Sequence, residues 1–451
     1  MGLMTQLSRL GLFDARVPRY TSYPTAPQFS NNVDAGLNRR WISAIAPGSE
    51  ISLYVHVPFC RHLCWFCACR TQGTQKLDTV RAYLDTLLTE IRQLQSHLPQ
   101  GVTLSRLHWG GGTPTMLDAG MITALAAEIA RVAPFAPGAE FSVEIDPNEI
   151  DEERLDALAA AGMNRASIGV QDFDPEIQKT IGRIQSYEVT ERAVRMLRAA
   201  GVKSLNADIL FGLPDQSPQR IAESVQKLLS LAPDRVALYG YAHVPWMARR
   251  QSMIPSELLP TPEERLKLFE AARRLFLWDG YEEIGIDHFA RPSDSMAVAL
   301  REGRLRRNFQ GYTEDPTEVL IGLGASSISR FPQGYAQNAA STSDYTALVR
   351  AGRTPTMRGH AFTAEDKVRA RIIELLMCNF AFELGQVLVE DGPSAEEVRG
   401  WMAQAAAQFD GFARLEDDRF AITREGRPLA RMVARAFDAY EMSKTGHSTA
   451  V

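Results

Sequence analysis

What most constrains this 451-residue chain is a repeated change of hydrophobic period. Short apolar, β-branched runs alternate with amphipathic stretches between residues 51 and 241. The spacing predicts strands over 51–57, 106–109, 140–145, 165–170, 203–210 and 235–239. Helices are expected between them, among them KLDTVRAYLDTLLTEIRQLQSHL from Lys76 and YEVTERAVRMLRAAG from Tyr187. The second ends on Gly201, which takes the left-handed turn at a helix stop without penalty. Strands joined by crossovers of this length run parallel. Six β/α units therefore predict an α/β fold, as a partial barrel or a doubly wound sheet.

Beyond Tyr241 the pattern blurs. TPEERLKLFEAARRLFLWDG predicts a helix from Thr261 leading into YEEIGIDHFARP, and the stretch holding RNFQGYTED and GLGASSISRF reads as loop. From about Ala361 the chain reads as helices (AEDKVRARIIELLMCNF, SAEEVRGWMAQAAAQF), a hairpin in FARLEDDRFAIT, a last helix from Glu425 and a frayed tail, SKTGHSTAV. The expected organisation is a leading segment 1–48 near the active site, a barrel with its extension over 49–355, and a mainly helical, winged-helix-like domain over 356–451. A winged helix can bind DNA, but 49 basic residues against 54 acidic ones give no support for a nucleic-acid partner.

The start, MGLMTQLSRL, has no sustained apolar stretch, and Gln6 stands where myristoylation needs Ser or Thr. No apolar run approaches the roughly 18 residues that span a bilayer. The expectation is a cytoplasmic protein with no membrane partner, and nothing in the sequence demands more than a monomer. In that reducing setting the cysteines stand out: four of five, Cys60, Cys64, Cys67 and Cys69, fall in CRHLCWFCAC directly after the first strand. Structural zinc takes four protein ligands, and a second C-x2-C knuckle is missing. The C-x3-C-x2-C spacing suits a [4Fe–4S] cluster with one iron left open, although Cys69 could supply a fourth thiolate. Cys378 reads as a core thiol.

With YVHVPFCRHLCWFCAC go PRYTSYPTAPQF, LHWGGGTPTML, FSVEIDPNEID, SIGVQDFD, LNADILFGLP, YGYAHVPWM, RNFQGYTED and GLGASSIS, in order along the chain. In these segments the sequence resembles the oxygen-independent coproporphyrinogen III oxidases, a family of radical S-adenosylmethionine enzymes. The resemblance implies a partial (β/α)6 radical-SAM barrel with an additional mainly helical C-terminal domain. It implies Cys60, Cys64 and Cys67 as ligands of the cluster, and leaves Cys69 without a role. It also implies two S-adenosylmethionine molecules: one served by Tyr54, Gly111, Glu144 and Ile328, the other by Phe66, Gly112, Thr113, Gln171, Arg183, Asp208 and Ala242. Gly182 departs from the family, which typically has Asn before this Arg.

Some of these positions have a reading of their own. The glycines of GGGTPT let backbone approach a ligand and make bare N–H and C=O groups available. Glu144, Gln171 and Asp208 fall at or near the ends of successive strands, which favours the barrel, where active sites gather at that end. His56 and His108 read as hydrogen-bonded structural histidines.

The implied reaction is oxidative decarboxylation. A 5′-deoxyadenosyl radical takes hydrogen from a propionate β-carbon; carbon dioxide and an electron then leave, and a vinyl group forms. Two of four propionates on coproporphyrinogen III react. No catalytic side chain is implied beyond the cofactors, and a low-potential electron donor and an electron acceptor are required partners. A polyanionic substrate needs cations, for which Arg291, Arg301, Arg304, Arg306 and Arg307, or Arg19 beside Tyr20, are the candidates, with a solvated helix face the plainer reading of the five. Rival readings are a haem-binding chaperone on the same scaffold, another radical reaction on a tetrapyrrole, and a zinc protein. The chaperones commonly lack the cysteine at position 69 and the PRYTSYPTAPQF and RNFQGY segments, all present here.

Overall fold

The computed structural model of the chain describes residues 2–441 and 450. Six strands stand where the pattern places them: β1 (Glu50–Val57), β2 (Thr103–Gly111), β3 (Phe135–Ile145), β4 (Arg165–Gln171), β5 (Ser204–Phe211) and β6 (Arg235–Gly240). They pair in chain order and all in parallel. The crossovers carry α1 (Leu77–Gln95), α2 (Ala119–Val132), α3 (Glu152–Ala160), α4 (Tyr187–Ala199) and α5 (Pro218–Ser230). The Ser186 hydroxyl caps α4 by accepting from the Val189 N–H, and the chain turns away at Gly201 with φ 88°. After the barrel strands, Thr261 and Glu264 form a capping box at the start of α6 (Pro262–Trp278).

The sheet does not stop at six strands. Beyond β6 lie β7 (Glu282–Ile284) and β8 (His288–Ala290), both antiparallel; on the other side β9 (Leu320–Leu323) runs parallel to β1. Next come β10 (Ile328–Phe331), β11 (Gly334–Asn338) and β12 (Thr356–Ala361). The order is β12-β11-β10-β9-β1-β2-β3-β4-β5-β6-β8-β7, an open partial barrel. A doubly wound sheet would reverse strand order at a switch point within β1–β6, and this one does not. Two loop expectations are corrected. GLGASSISRF contributes the end of β9 and all of β10, and RNFQGYTED holds most of a hairpin of Arg306–Asn308 with Gly311–Thr313. Strands of three or four residues are too short for alternation to register.

Parallel strands are usually apolar on both faces. Here only one face is. Leu53 and Val55, Leu107 and Trp109, Val143 and Ile145, Ile168 and Val170, Ala207 and Ile209, Val236 and Leu238 are buried under the helices. The alternate residues face the lumen and are polar: Tyr54 and His56, Arg106 and His108, Glu140 and Glu144, Arg165 and Ser167, Asn206 and Asp208, Arg235 and Tyr239. At the N-terminal end of the barrel the charges neutralise one another. Arg106 and Arg165 share Glu140 at 2.9 and 3.0 Å, Arg106 also reaches Glu314 at 3.2 Å, and Arg235, 1% exposed, pairs with Asp294. The barrel is plugged there and open at the other end.

The C-terminal region packs α7 (Ala364–Asn379), α8 (Ala395–Gln408) and α9 (Ala430–Ala436) on a three-stranded sheet of Ala381–Glu383, Arg419–Ile422 and Ala413–Glu416. The last helix begins at Ala430 rather than Glu425, because Pro428 sits in a 3-10 turn ahead of it. This core includes Leu7, Leu12, Phe13, Val17, Tyr20 and Tyr23 from the start of the chain, whereas Trp41, Ile42 and Ile45 pack into the barrel core. The tail expected to fray, 443–451, lies outside the described residues except for Ala450. That residue is tied down: its N–H donates to Ala15 O at 2.8 Å, and it is 8% exposed. Among the described residues no helix is long and apolar enough to cross a membrane.

Candidate active site

The cysteine loop leaves β1 at the open end of the barrel. Phe59–Cys60 pairs with Gln72–Gly73 and closes the neck of the loop, with Thr74 N–H donating to Cys60 O at 3.0 Å. Two further bonds fix its body. Trp65 N–H donates to Ile181 O at 2.9 Å, and the Gln251 amide, itself anchored on Ala242 O at 3.0 Å, donates to Phe66 O at 2.7 Å. All four thiols are free. Burial pushes the Cys60 thiol up to about 11 and raises that of Cys64. The Cys69 thiol and N–H donate to the Cys67 sulfur and pull the Cys67 thiol down to about 6.

Arg183 reaches this loop from β4's connection. Its guanidinium contacts Cys64 Sγ at 3.5 Å, Asp146 at 3.2 Å and Gly169 O at 3.0 Å, while its buried Nε has no hydrogen-bond partner among the described residues. Gly182, where the family typically has Asn, has φ 67°, and a Cβ there would come within 2.8 Å of the Trp65 ring. The departure is explained by the tryptophan that packs against it.

The strand ends complete the mouth. On β1, Tyr54 stacks on His108 with ring centroids 5.8 Å apart and bonds His56 Nδ1 at 2.9 Å. Glu144 ends the polar face of β3, accepting from the Gly111 N–H at 3.0 Å and lying 3.2 Å from His108 Nε2. Its recessed position pushes the carboxyl up, but His108 and the Gly111 N–H outweigh this and hold it below the usual carboxylate range. With 42% of the side chain exposed, Glu144 still presents an edge to a ligand. Gln171 closes β4 with φ 68°, an uncommon conformation for a residue with a side chain, and such positions cluster at functional sites. Asp208 on β5 accepts from Asn206 at 2.8 Å, and burial pushes its carboxyl up to about 7. Ile328 opens β10 against Gly322, which is in register with Tyr54.

One sequence reading changes here. The glycines of GGGTPT were expected to offer bare N–H groups, but those of Gly111 and Gly112 already donate to Glu144 and Val57 O, and that of Thr113 donates to Phe59 O. What Gly112 supplies is room: a Cβ would sit 2.5 Å from Phe59 O. His56 is fully engaged, with Tyr54 on one nitrogen and Arg70 O 3.2 Å from the other, as expected of a structural histidine.

The arginine candidates divide. Arg291, Arg301, Arg304 and Arg306 pair with Asp279, Glu282, Glu302 and Glu374. Arg307 and Arg19 instead line a cavity of about 470 Å³ beside the ends of β5 and β6, joined there by Arg265 and Arg431. No sequence pattern marks those two, which lie on helices away from the motifs, nor Gln251, in a 3-10 turn just after YGYAHVPWM.

The donor set fits the implied groups. Three free thiols in one short loop, a cationic guanidinium on one of them with an orphaned buried Nε, and a part-exposed carboxylate on the next strand end suit a cluster and a zwitterionic nucleoside cofactor. Among the described residues, no three His, Cys, Asp or Glu side chains gather tightly enough to hold one metal ion. A four-iron cluster spreads its thiolates over a larger body than a single ion does.

Comparison with known proteins agrees. Residues 54–228 match the Radical SAM superfamily. The chain is 64% identical over 451 residues to an oxygen-independent coproporphyrinogen III oxidase of Paracoccus denitrificans (strain Pd 1222), covering 100% of both chains. It is 56% identical to one from Cereibacter sphaeroides, covering 98% of each. The solved coproporphyrinogen III oxidase of Escherichia coli superposes with a TM-score of 0.89 at 36% identity, over 95% of this chain and 100% of that one. The chain therefore belongs to the oxygen-independent coproporphyrinogen III oxidases, within the radical SAM superfamily.

Proposed function

We propose that the chain converts coproporphyrinogen III to protoporphyrinogen IX without oxygen, by oxidative decarboxylation of two propionate side chains to vinyl groups in haem biosynthesis. One observation carries the reading: a loop of four free thiols, Arg183, Glu144 and Asp208 stand at the same open barrel end as an arginine-lined cavity. When bound, the [4Fe–4S] cluster and S-adenosylmethionine supply the electron and the radical that removes hydrogen from the propionate β-carbon.

The chain's own residues hold and orient. Cys60, Cys64 and Cys67 are the proposed cluster ligands, and Arg183 sets a positive charge beside Cys64. We assign Tyr54, Gly111, Glu144 and Ile328 to one S-adenosylmethionine, with the Glu144 carboxylate accepting from ribose hydroxyls. Phe66, Gly112, Thr113, Gln171, Arg183, Asp208 and Ala242 are assigned to a second molecule. Gly111, Gly112 and Thr113 serve through carbonyls and space, since their N–H groups are taken. Burial raises the Asp208 carboxyl, which lets it donate as well as accept. The free thiols fit a reducing cytoplasm, and we read the enzyme as a monomer served by a low-potential electron donor and an electron acceptor. The units 1–48, 49–355 and 356–451 are read as leading segment, barrel and helical domain.

The test is anaerobic reconstitution with iron and sulfide, then incubation with S-adenosylmethionine, reductant and coproporphyrinogen III. Expected products are 5′-deoxyadenosine and vinyl-bearing porphyrinogen; absence of both sinks the reading. Cys64→Ala is expected to abolish the visible absorbance of the cluster, and its retention overturns the ligand assignment.

A further inference from the structure

We propose that Glu90 and Tyr83 of α1 are positioning residues for S-adenosylmethionine: they brace the turn between β9 and β10 against the end of β1, and so set Tyr54 and Ile328. The inference rests on the function proposed above and adds to it which groups outside the barrel mouth govern cofactor affinity.

Glu90 is a costly residue where it stands. It is 6% exposed, and a buried carboxylate is tolerated only when paired or fully hydrogen-bonded. No cation among the described residues meets it; three neutral donors do. Asn338, at the end of β11, donates from Nδ2 to Oε1 at 2.7 Å. The Gly324 N–H and the Tyr345 hydroxyl both donate to Oε2, each at 2.7 Å. An apolar side chain would fill the space without the cost of desolvation, so the use of the carboxylate lies in what it holds.

What it holds is a strained turn. Between β9 and β10 the chain passes through Gly324 at φ 94° and Ser326 at φ 63°. A residue with a side chain stays in that region only where its surroundings over-determine it, and such places cluster at ligand sites. The surroundings here do so. Asn338 Nδ2 and the Ser327 hydroxyl donate to Gly324 O at 3.0 and 2.7 Å, and the Gln337 amide donates to Ser326 O at 3.0 Å. Tyr83 then ties the turn to β1: its hydroxyl accepts from the Ala325 N–H at 3.0 Å and donates to His56 O at 2.8 Å. A Cβ on Gly324 would lie 2.6 Å from both His56 O and the Tyr83 hydroxyl, so helix, turn and strand meet without spare room.

Both ends of this brace lead to residues assigned to the same S-adenosylmethionine. Ile328 follows the turn directly. Its neighbour Ser329 accepts from the Gly322 N–H at 2.9 Å, and Gly322 is in register with Tyr54. On the other side His56, whose carbonyl Tyr83 holds, bonds the Tyr54 hydroxyl through Nδ1 at 2.9 Å. Loosening the brace shifts this wall and touches no group that reacts. Ground state and transition state then lose the same contacts, which raises KM for the cofactor and leaves kcat alone.

The experiment uses reconstituted holoenzyme and the variants Glu90→Gln and Tyr83→Phe. Glutamine turns an N–H toward donors, so Glu90→Gln should raise KM for S-adenosylmethionine on the order of 10-fold, the cost of losing one hydrogen bond to a charged group. Tyr83→Phe, which removes neutral hydrogen bonds, should raise it about 3-fold and carries the test if Glu90→Gln does not fold. In both, kcat at saturating cofactor, KM for coproporphyrinogen III and cluster absorbance should stay near those of the wild type. A residue that merely stabilises the fold would lower the active fraction, and with it kcat, while KM stayed put. Equilibrium dialysis of S-adenosylmethionine against unreduced holoenzyme reads the same loss of affinity without turnover. KM for S-adenosylmethionine unmoved in both variants, or rising together with that for coproporphyrinogen III, overturns the brace even if decarboxylation is confirmed. Wild type that binds S-adenosylmethionine more tightly than Glu90→Gln yet never decarboxylates coproporphyrinogen III supports the brace and overturns the function instead.

Discussion

The two ends of the barrel use the same residue types for opposite purposes. At the plugged end Arg106, Arg165 and Arg235 meet Glu140, Glu314, Asp315 and Asp294 in one shared network of ion pairs. At the open end Arg19, Arg265, Arg307 and Arg431 gather around a cavity whose inner carboxylate, Asp287, is turned to a histidine. Ion pairs close one end of the barrel, and at the other the arginines border an open cavity. Arginine content alone would not separate them; the space each guanidinium faces does.

The sharpest way to break this comparison is to unbalance the plug. Arg235→Met leaves Asp294 buried without its partner and should cost about 3–5 kcal/mol, the usual penalty for breaking a buried pair. Equilibrium denaturant unfolding measures it; a loss near zero would mean the plug is no pair at all. Glu144→Gln tests the open end. It should raise KM for S-adenosylmethionine about 10- to 100-fold, as expected for losing charge-assisted hydrogen bonds. If kinetics with varied cofactor show KM unmoved, Glu144 serves only Gly111 and His108.

Asp208 gives a pH signature. Its carboxyl, facing Asn206, Glu144, Arg183 and His108, rises from 3.8 to about 7 on folding. Between those values the folded state keeps a proton that the unfolded state has lost, so stability falls as pH rises through the window. Asp208→Asn should remove that fall, with its full gain above pH 7, in thermal melts of cluster-free protein. A slope equal to the wild type's would assign the titration elsewhere. The smallest effect belongs to Arg304, exposed and paired with Glu302. Arg304→Gln should change stability by less than about 1 kcal/mol, as surface pairs do, and leave substrate KM within about twofold. A larger rise would return this arginine to the substrate site.

Much of the barrel was legible because its strands are long and flanked by amphipathic helices. Each of β1 to β6 appears within a few residues of its expected limits. The strands of 3–5 residues, β7 to β11, were not, since alternation needs length to show. One signal was present and unread: S-x-Y-x-H, R-x-H and E-x-S-x-E place polar residues at every second position of buried parallel strands, marking a hydrated lumen. The cysteine loop stood out by its spacing and its place directly after the first strand. The cavity was not, because Arg19, Arg265, Arg307 and Arg431 come from four separated parts of the chain and meet only when the leading segment docks.

That docking has a consequence for synthesis. Tyr20 donates to Asp438 across 418 positions, and Leu7, Phe13 and Val17 pack with Phe409 and Phe437. A ribosome makes the first partner long before the last. The barrel strands emerge early and pair with neighbours, whereas the opening residues must wait for α9. Contacts of such separation form late in folding. The wall that the opening residues build with α9 is therefore the last part of the molecule that the chain can complete.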